Sequence, residues 1–269
     1  MVKPPDEKVG RRQGRVQSVE RAMLLLEALG EDEEGYRLTD LAARTGLSLS
    51  TIHRLLTTLE TGRFVQFDQN HNTWHVGRQV FSIGSAFVRR RNFVAPAMPF
   101  LRHLRDRSRE TANLGVVDEG EMVVVTQVES REIMRAITRV GGRAPLVASG
   151  MGKAILATYS DDDIKALIAR HGMPRMTSHS IVRASRLKEE LILTRKRGYA
   201  IDNEEFVMGL RCVASVIFNQ QSEALCAISV SGLADRMPED RLNSLGELVA
   251  ATAREMTEAL GGVTPSLAG

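Results

Sequence analysis

The sequence predicts an α+β chain in two parts. Three observations support this. Helix-period apolar stripes dominate the first 90 residues, with one short hairpin among them. Beyond residue 110, runs of β-branched residues alternate with helical segments in no regular βαβ repeat. The two parts also differ in charge. Residues 1–91 hold 14 basic and 11 acidic residues, whereas 92–269 hold 22 of each, so the whole formal charge of +3 sits in the first third.

In chain order, residues 1–15 form a charged arm poor in large apolar side chains, whose Arg11, Arg12 and Arg15 either track phosphates or are simply solvated. Ser18 is expected to cap a first helix to Leu29, with Ala22, Leu25, Leu26 and Leu29 facing inward. The acidic run Glu31 to Glu34 is a loop, and Tyr36 to Leu38 is short enough to be an extra strand. Thr39 is expected to cap a second helix that Gly46 ends, and Ser48 a third that Gly62 closes.

In that third helix Ile52, Leu55, Leu56 and Leu59 fall at i, i+3, i+4 and i+7, a single apolar stripe. Away from it lie Ser50, Thr51, His53, Arg54 and Thr58, with no carboxylate before Glu60. Together with Ser48 these short hydroxyls and cations suit the major groove of double-stranded DNA. By spacing alone a buried helical hairpin fits equally well. The runs FVQF (64–67) and TWHV (73–76), joined by a polar turn, add a β-hairpin, and two helices followed by a hairpin make a winged helix-turn-helix.

Residues 77–91 predict a linker helix whose apolar residues spread over more than one face, as in a helix serving a second subunit or one buried in the monomer. The next helix, from Ala95 to Arg109, has Pro96 and Pro99 placed in its first turn. Strands are expected at Leu114–Val117, Met122–Val128, Arg135–Val140, Cys212–Phe218 and Ala224–Val230. Helices are expected at Gly152–Tyr159, Asp161–Arg170 capped by Ser160, Leu187–Arg197 and Pro238–Leu260.

Three pieces of this second part suggest a pocket. Ser149-Gly150-Met151-Gly152-Lys153 feeds a helix, so the amides of Gly150 to Gly152 can face an anion, although the stretch does not match a nucleotide P-loop. Ser229 and Ser231 alternate along a strand and share one face. Buried hydroxyls need partners, either a small oxygen-rich ligand or a neighbouring loop. Cys212 begins a strand after a loop crowded by Asp202, Glu204 and Glu205.

Two cysteines, Cys212 and Cys226, are too few and too poorly spaced for a zinc site or disulfide framework, and no metal or cofactor is expected. A reduced cytoplasmic location follows. The N-terminus lacks a signal peptide pattern, and no apolar run reaches membrane-spanning length. Cys212 with His171 or His179 as base would be the alternative, a hydrolase fused to a DNA-binding unit; a strand cysteine in an apolar run is usually inert.

RVQSVERAMLLLEAL, LTDLAARTGLSLSTIHRLLTTLE, RGYAIDNEE, GLRCVAS and ISVSG resemble, in order, the landmarks of the IclR family of bacterial transcription regulators, from about Arg15 to Gly261. The resemblance implies an arm at 1–15, a DNA-binding domain at 16–77, a linker helix at 78–95, an effector-binding domain similar to GAF and profilin-like modules at 96–262, and a tail at 263–269. It further implies a homodimer or dimer of dimers on a palindromic operator, repressing a catabolic operon. SGMGKAIL, AIDNEEFVMGLRC and AISVSG look most similar to the allantoin- and glyoxylate-responsive branch. Carried over by position, Gly150, Met151, Asp202, Cys212, Ser229 and Ser231 would line the pocket for a small carboxylate such as glyoxylate. Met151 departs from a smaller alanine, placing a flexible thioether at the pocket mouth.

Overall fold

The computed structural model describes residues 16–89, 93–133 and 139–265. The chain divides into two compact units, 1–90 and 91–269.

In the first unit, α1 (Gln17–Leu29), α2 (Leu38–Thr45) and α3 (Leu49–Thr61) enclose one core with the hairpin β1 (Val65–Asp68) and β2 (Thr73–Val76). Leu25, Leu29, Leu41, Ile52 and Leu56 are buried, as the helical stripes require. Tyr36 adds one antiparallel bridge to Trp74, so the expected extra strand is a single residue pair. Two caps differ from expectation. Val16 and Arg37, not Ser18 and Thr39, hold the extended N-cap positions, and the α2 start is closed by Asp40 accepting the Arg37 amide at 3.2 Å. After α3 the left-handed residue is Arg63 (φ 61°), whereas Gly62 is right-handed. A side chain at Gly62 would meet the Phe64 ring at 2.9 Å, so close approach explains this glycine. The unit ends in α4 (Arg78–Arg89), which exposes Phe81 (79%) and Ile83 (53%).

The second unit starts with α5 (Val94–Ser108), where Pro99 falls in the second turn and not the first. A six-stranded antiparallel sheet follows, ordered β5-β4-β3-β8-β7-β6. Its strands are β3 (Thr111–Asp118), β4 (Glu121–Val128), β5 (Arg143–Pro145), β6 (Ala200–Asn203), β7 (Leu210–Phe218) and β8 (Ala224–Leu233). The strand expected at Arg135–Val140 falls mostly outside the described residues, and the pairing there is made by β5. β6 was expected as loop.

Helices α6 (Gly150–Leu156), α7 (Asp161–His171), α8 (Ala184–Arg197) and α9 (Glu239–Ala259) complete the unit. Ser160 caps α7 by accepting the Asp163 amide at 3.1 Å. Both faces of β7 are covered, since Val213 to Phe218 are all buried. The face carrying Cys212 and Ala214 meets α6: a side-chain carbon at Gly150 would lie 3.0 Å from Cys212 Sγ and 3.6 Å from Ala214 Cβ.

Candidate functional site

The outward face of α3 is built by its own start. Ser48 Oγ accepts the Thr51 amide at 3.3 Å and lies 2.9 Å from the Thr51 hydroxyl and 3.2 Å from that of Ser50. Ser48, Ser50, His53, Arg54 and Thr58 are exposed, and Thr51 is half-buried. The structure adds Thr57, exposed on the same face one turn beyond His53 and Arg54, a position its spacing from His53 (i+4) also gives. Thr57 and Thr58 each donate to the carbonyl four residues back, at 2.8 Å, leaving lone pairs outward. At the hairpin tip, Asp68 holds His71 at 2.8 Å, which raises the imidazole pKa and lowers that of the carboxylate. Arg15 lies outside the described residues, as do Arg11 and Arg12.

In the second unit, strand register brings distant residues into one row. Asp202 on β6 is paired with Cys212 on β7, and Cys212 with Ser231 on β8. Directly opposed residues share a sheet face, so all three point the same way. Ser229 stands two residues along, opposite Asn113 of β3. Asn113 is buried, and its amide donates to both Ser229 Oγ (3.3 Å) and Ser231 Oγ (3.2 Å). The serine pair thus has an internal partner that sequence reading did not supply. An amide alone in an apolar strand was the available signal.

Of the three amides at the start of α6, that of Gly152 is taken by Ser149 Oγ at 3.0 Å, leaving Gly150 and Met151 as the first-turn donors the cap does not use. Met151 is buried, and its thioether would lie 3.0–3.1 Å from a side chain at Gly115. It packs among the core residues from the first turn of α6, next to Gly150.

Beside the row lies a buried charge cluster. Lys153 is fully buried, donates to the Ile201 carbonyl at 2.5 Å and forms an ion pair with Glu205. Glu205 sends its amide to Asp202 at 2.7 Å, and its second carboxylate oxygen is without a partner. Burial pushes Asp202 up to about 7, Lys153 opposing the rise, and raises Glu205 as well. Burial, then Asp202, pushes the Cys212 thiol up to about 11, against hydrogen bonds from Ser231 and Ser229. Such a thiol is the reverse of an activated nucleophile. His179 turns to the Asn203 carbonyl at 3.4 Å and His171 packs over Gly120.

Residues 18–69 match the IclR helix-turn-helix domain, and 85–258 the C-terminal domain of the bacterial transcriptional regulator IclR. The chain belongs to the IclR family. It is similar to the transcriptional repressor IclR of Escherichia coli K12, 40% identical over 98% of this chain and all of that protein. It is also similar to the repressor AllR of the same organism, 36% identical over 91% and 90%. The crystal structure of Thermotoga maritima IclR superposes with a TM-score of 0.76 at 27% identity, over 91% of this chain and 98% of that one. This IclR-family chain is a transcriptional regulator with a helix-turn-helix DNA-binding domain, not an enzyme. Among the described residues no helix is long and apolar enough to cross a membrane, and no cluster of His, Cys, Asp and Glu could hold a metal.

Proposed function

We infer that this regulator represses a catabolic operon and is released from, or tightened on, a palindromic operator by a small carboxylate or carbonyl metabolite bound at the Gly150, Asp202, Cys212, Ser229 and Ser231 row. The observation that carries the reading is the alignment of Asp202, Cys212 and Ser231 across three strands beneath the start of α6. Hydroxyls, a buried carboxyl with a pKa near neutrality and first-turn amides together offer donors and acceptors to a small polar molecule. A small carboxylate such as glyoxylate fits this chemistry, and a 40% identical relative in Salmonella typhimurium is named an acetate operon repressor. Met151, in the same turn of α6 as Gly150, would supply an apolar wall to such a site.

On the DNA side, Ser48, Ser50, Thr51, His53, Arg54 and Thr58 would enter the major groove, with Arg15 reaching phosphate. One short helix reads few base pairs, so a symmetric dimer, or a dimer of dimers, would double the site. Exposed Val16 at the N-cap of α1 and Val19 and Met23 on that helix, with Phe81 and Ile83 on α4, supply apolar surface for self-association. The test replaces Ser229 and Ser231 together by Ala and measures operator affinity while small carboxylates are titrated. Loss of the response with unchanged ligand-free DNA binding is expected; a normal response in the double variant would move the ligand elsewhere.

A further inference from the structure

β6 is short. It pairs only with residues 211–214 of β7, so from Ser215 to Phe218 that edge of the sheet has no strand beside it among the described residues. A cavity of about 120 Å³ lies along this open edge, enclosed by the end of α6, the end of α8, β7 and α9. Apolar walls come from Val216, Phe218 and Ala253, while Thr194, Arg195 and Arg254 supply polar groups. None of the residues proposed for the effector lines it.

Thr194 is the anomaly. It is 3% exposed, and its hydroxyl has no hydrogen-bond partner. Six other helical threonines, at 45, 57, 58, 61, 252 and 257, donate to the carbonyl four residues earlier, the usual refuge of such a hydroxyl. Three of the other polar side chains at the cavity are engaged. Thr158 donates to Ile155 O, Ser215 to Gly198 O, and Arg195 to the carbonyls of Ala157 and Tyr159. Arg254 on α9 is exposed, and no ion pair holds it among the described residues.

We propose that this cavity is a second ligand site, separate from the serine row, that takes a short-chain aliphatic carboxylate. The carboxylate accepts a hydrogen bond from Thr194 and sits in the field of Arg195 and Arg254, and the alkyl chain lies on Val216, Phe218 and Ala253. Size agrees: an apolar cavity of about 150 Å³ holds benzene, so a slightly smaller, open-mouthed one accommodates the roughly six heavy atoms of butyrate. Charge-assisted hydrogen bonding explains the preference for an anion over a neutral molecule of the same shape.

The experiment titrates the full chain with butyrate, and with butyramide as the uncharged control, by calorimetry and ligand-observed magnetic resonance. Saturable butyrate binding is expected, at least tenfold tighter than butyramide. It should weaken at least tenfold in Thr194→Val and in Arg254→Gln, recover in Arg254→Lys, and persist in the Ser229→Ala, Ser231→Ala double variant. Because Arg254 is exposed, its substitutions report even where Thr194→Val fails to fold. No saturable binding, with Thr194→Val merely raising thermal stability, would mean that the cavity holds water alone and would overturn the proposal. So would binding that is lost in the serine variant yet intact in Arg254→Gln.

Discussion

Lys153 and Glu205 form an ion pair shut away from solvent, the lysine fully buried and the glutamate side chain 8% exposed. Removing one partner of a buried pair leaves the other uncompensated, at a cost of about 3–5 kcal/mol. Lys153→Met is therefore expected to destabilise the second unit by that order at pH 7.5. Part of the loss should return at pH 5, because without the ammonium the carboxyls of Glu205 and Asp202 take up protons more readily in the folded state. Equal losses in urea unfolding at both pH values would assign the effect to packing alone.

Asp202 has its own pH signature. Its folded pKa, about 7, lies above the ordinary carboxyl value of 3.8. Between those values the folded chain keeps a proton that the unfolded chain releases, so this group's contribution is present at low pH and falls as pH rises to about 7. The slope approaches roughly 1.4 kcal/mol per pH unit within the window. Asp202→Asn, which keeps an acceptor for the Glu205 amide, is expected to flatten the decline between pH 4 and 7 in denaturant titrations. An unchanged slope would place the titrating group elsewhere.

Gly152 and Gly84 make a matched pair of controls. A side-chain carbon at Gly152 would lie 2.2 Å from the Leu146 carbonyl oxygen, whereas at Gly84 nothing lies within 4 Å. Gly152→Ala must push α6 away from the preceding turn and is expected to cost about 1–3 kcal/mol or more. Gly84→Ala, in an exposed helix position, should be neutral or stabilising by about 0.4–1 kcal/mol. Thermal unfolding of the two variants decides, and equal effects would contradict the packing described for α6.

Arg54→Ala is expected to weaken specific DNA binding by about 1–3 kcal/mol and to relax preference at one base position, as for a guanine-edge contact. Binding measured on a panel of single-base operator variants checks this. A uniform loss across the panel would reassign Arg54 to a phosphate.

What could be read from the sequence follows the range of the interactions concerned. The apolar stripe of α3 and the Ser160 cap are local, set by residues within one or two turns, and both stand as expected. Cap positions at Val16 and Arg37 escaped because a cap is a backbone conformation, and a good capping residue two positions along is no guarantee of it. β6 escaped because four residues with a buried Asp carry too little strand signal; only pairing with β7 makes it a strand. Ser229 and Ser231 were visible as a period-two pair, yet Asn113 comes from the other end of the domain, and no local pattern ties it to them. A separation of 52 residues likewise hid the pairing of Lys153 with Glu205, although a lysine within an apolar helix was a signal in plain view.

The bond from Asn113 to Ser229 spans 116 residues. At synthesis rates of about 5–20 residues per second, the ribosome needs roughly 6–23 s to travel from one to the other. The residues of the first unit all precede β3 in the chain, and the central strand pair β3–β8 closes only once residues 227–231 have been made. Each newly made molecule therefore carries the whole sequence of the helix-turn-helix unit for several seconds before the central pair of the sheet can form. A message cut short before β8 would yield a protein that keeps that unit and never acquires the sheet.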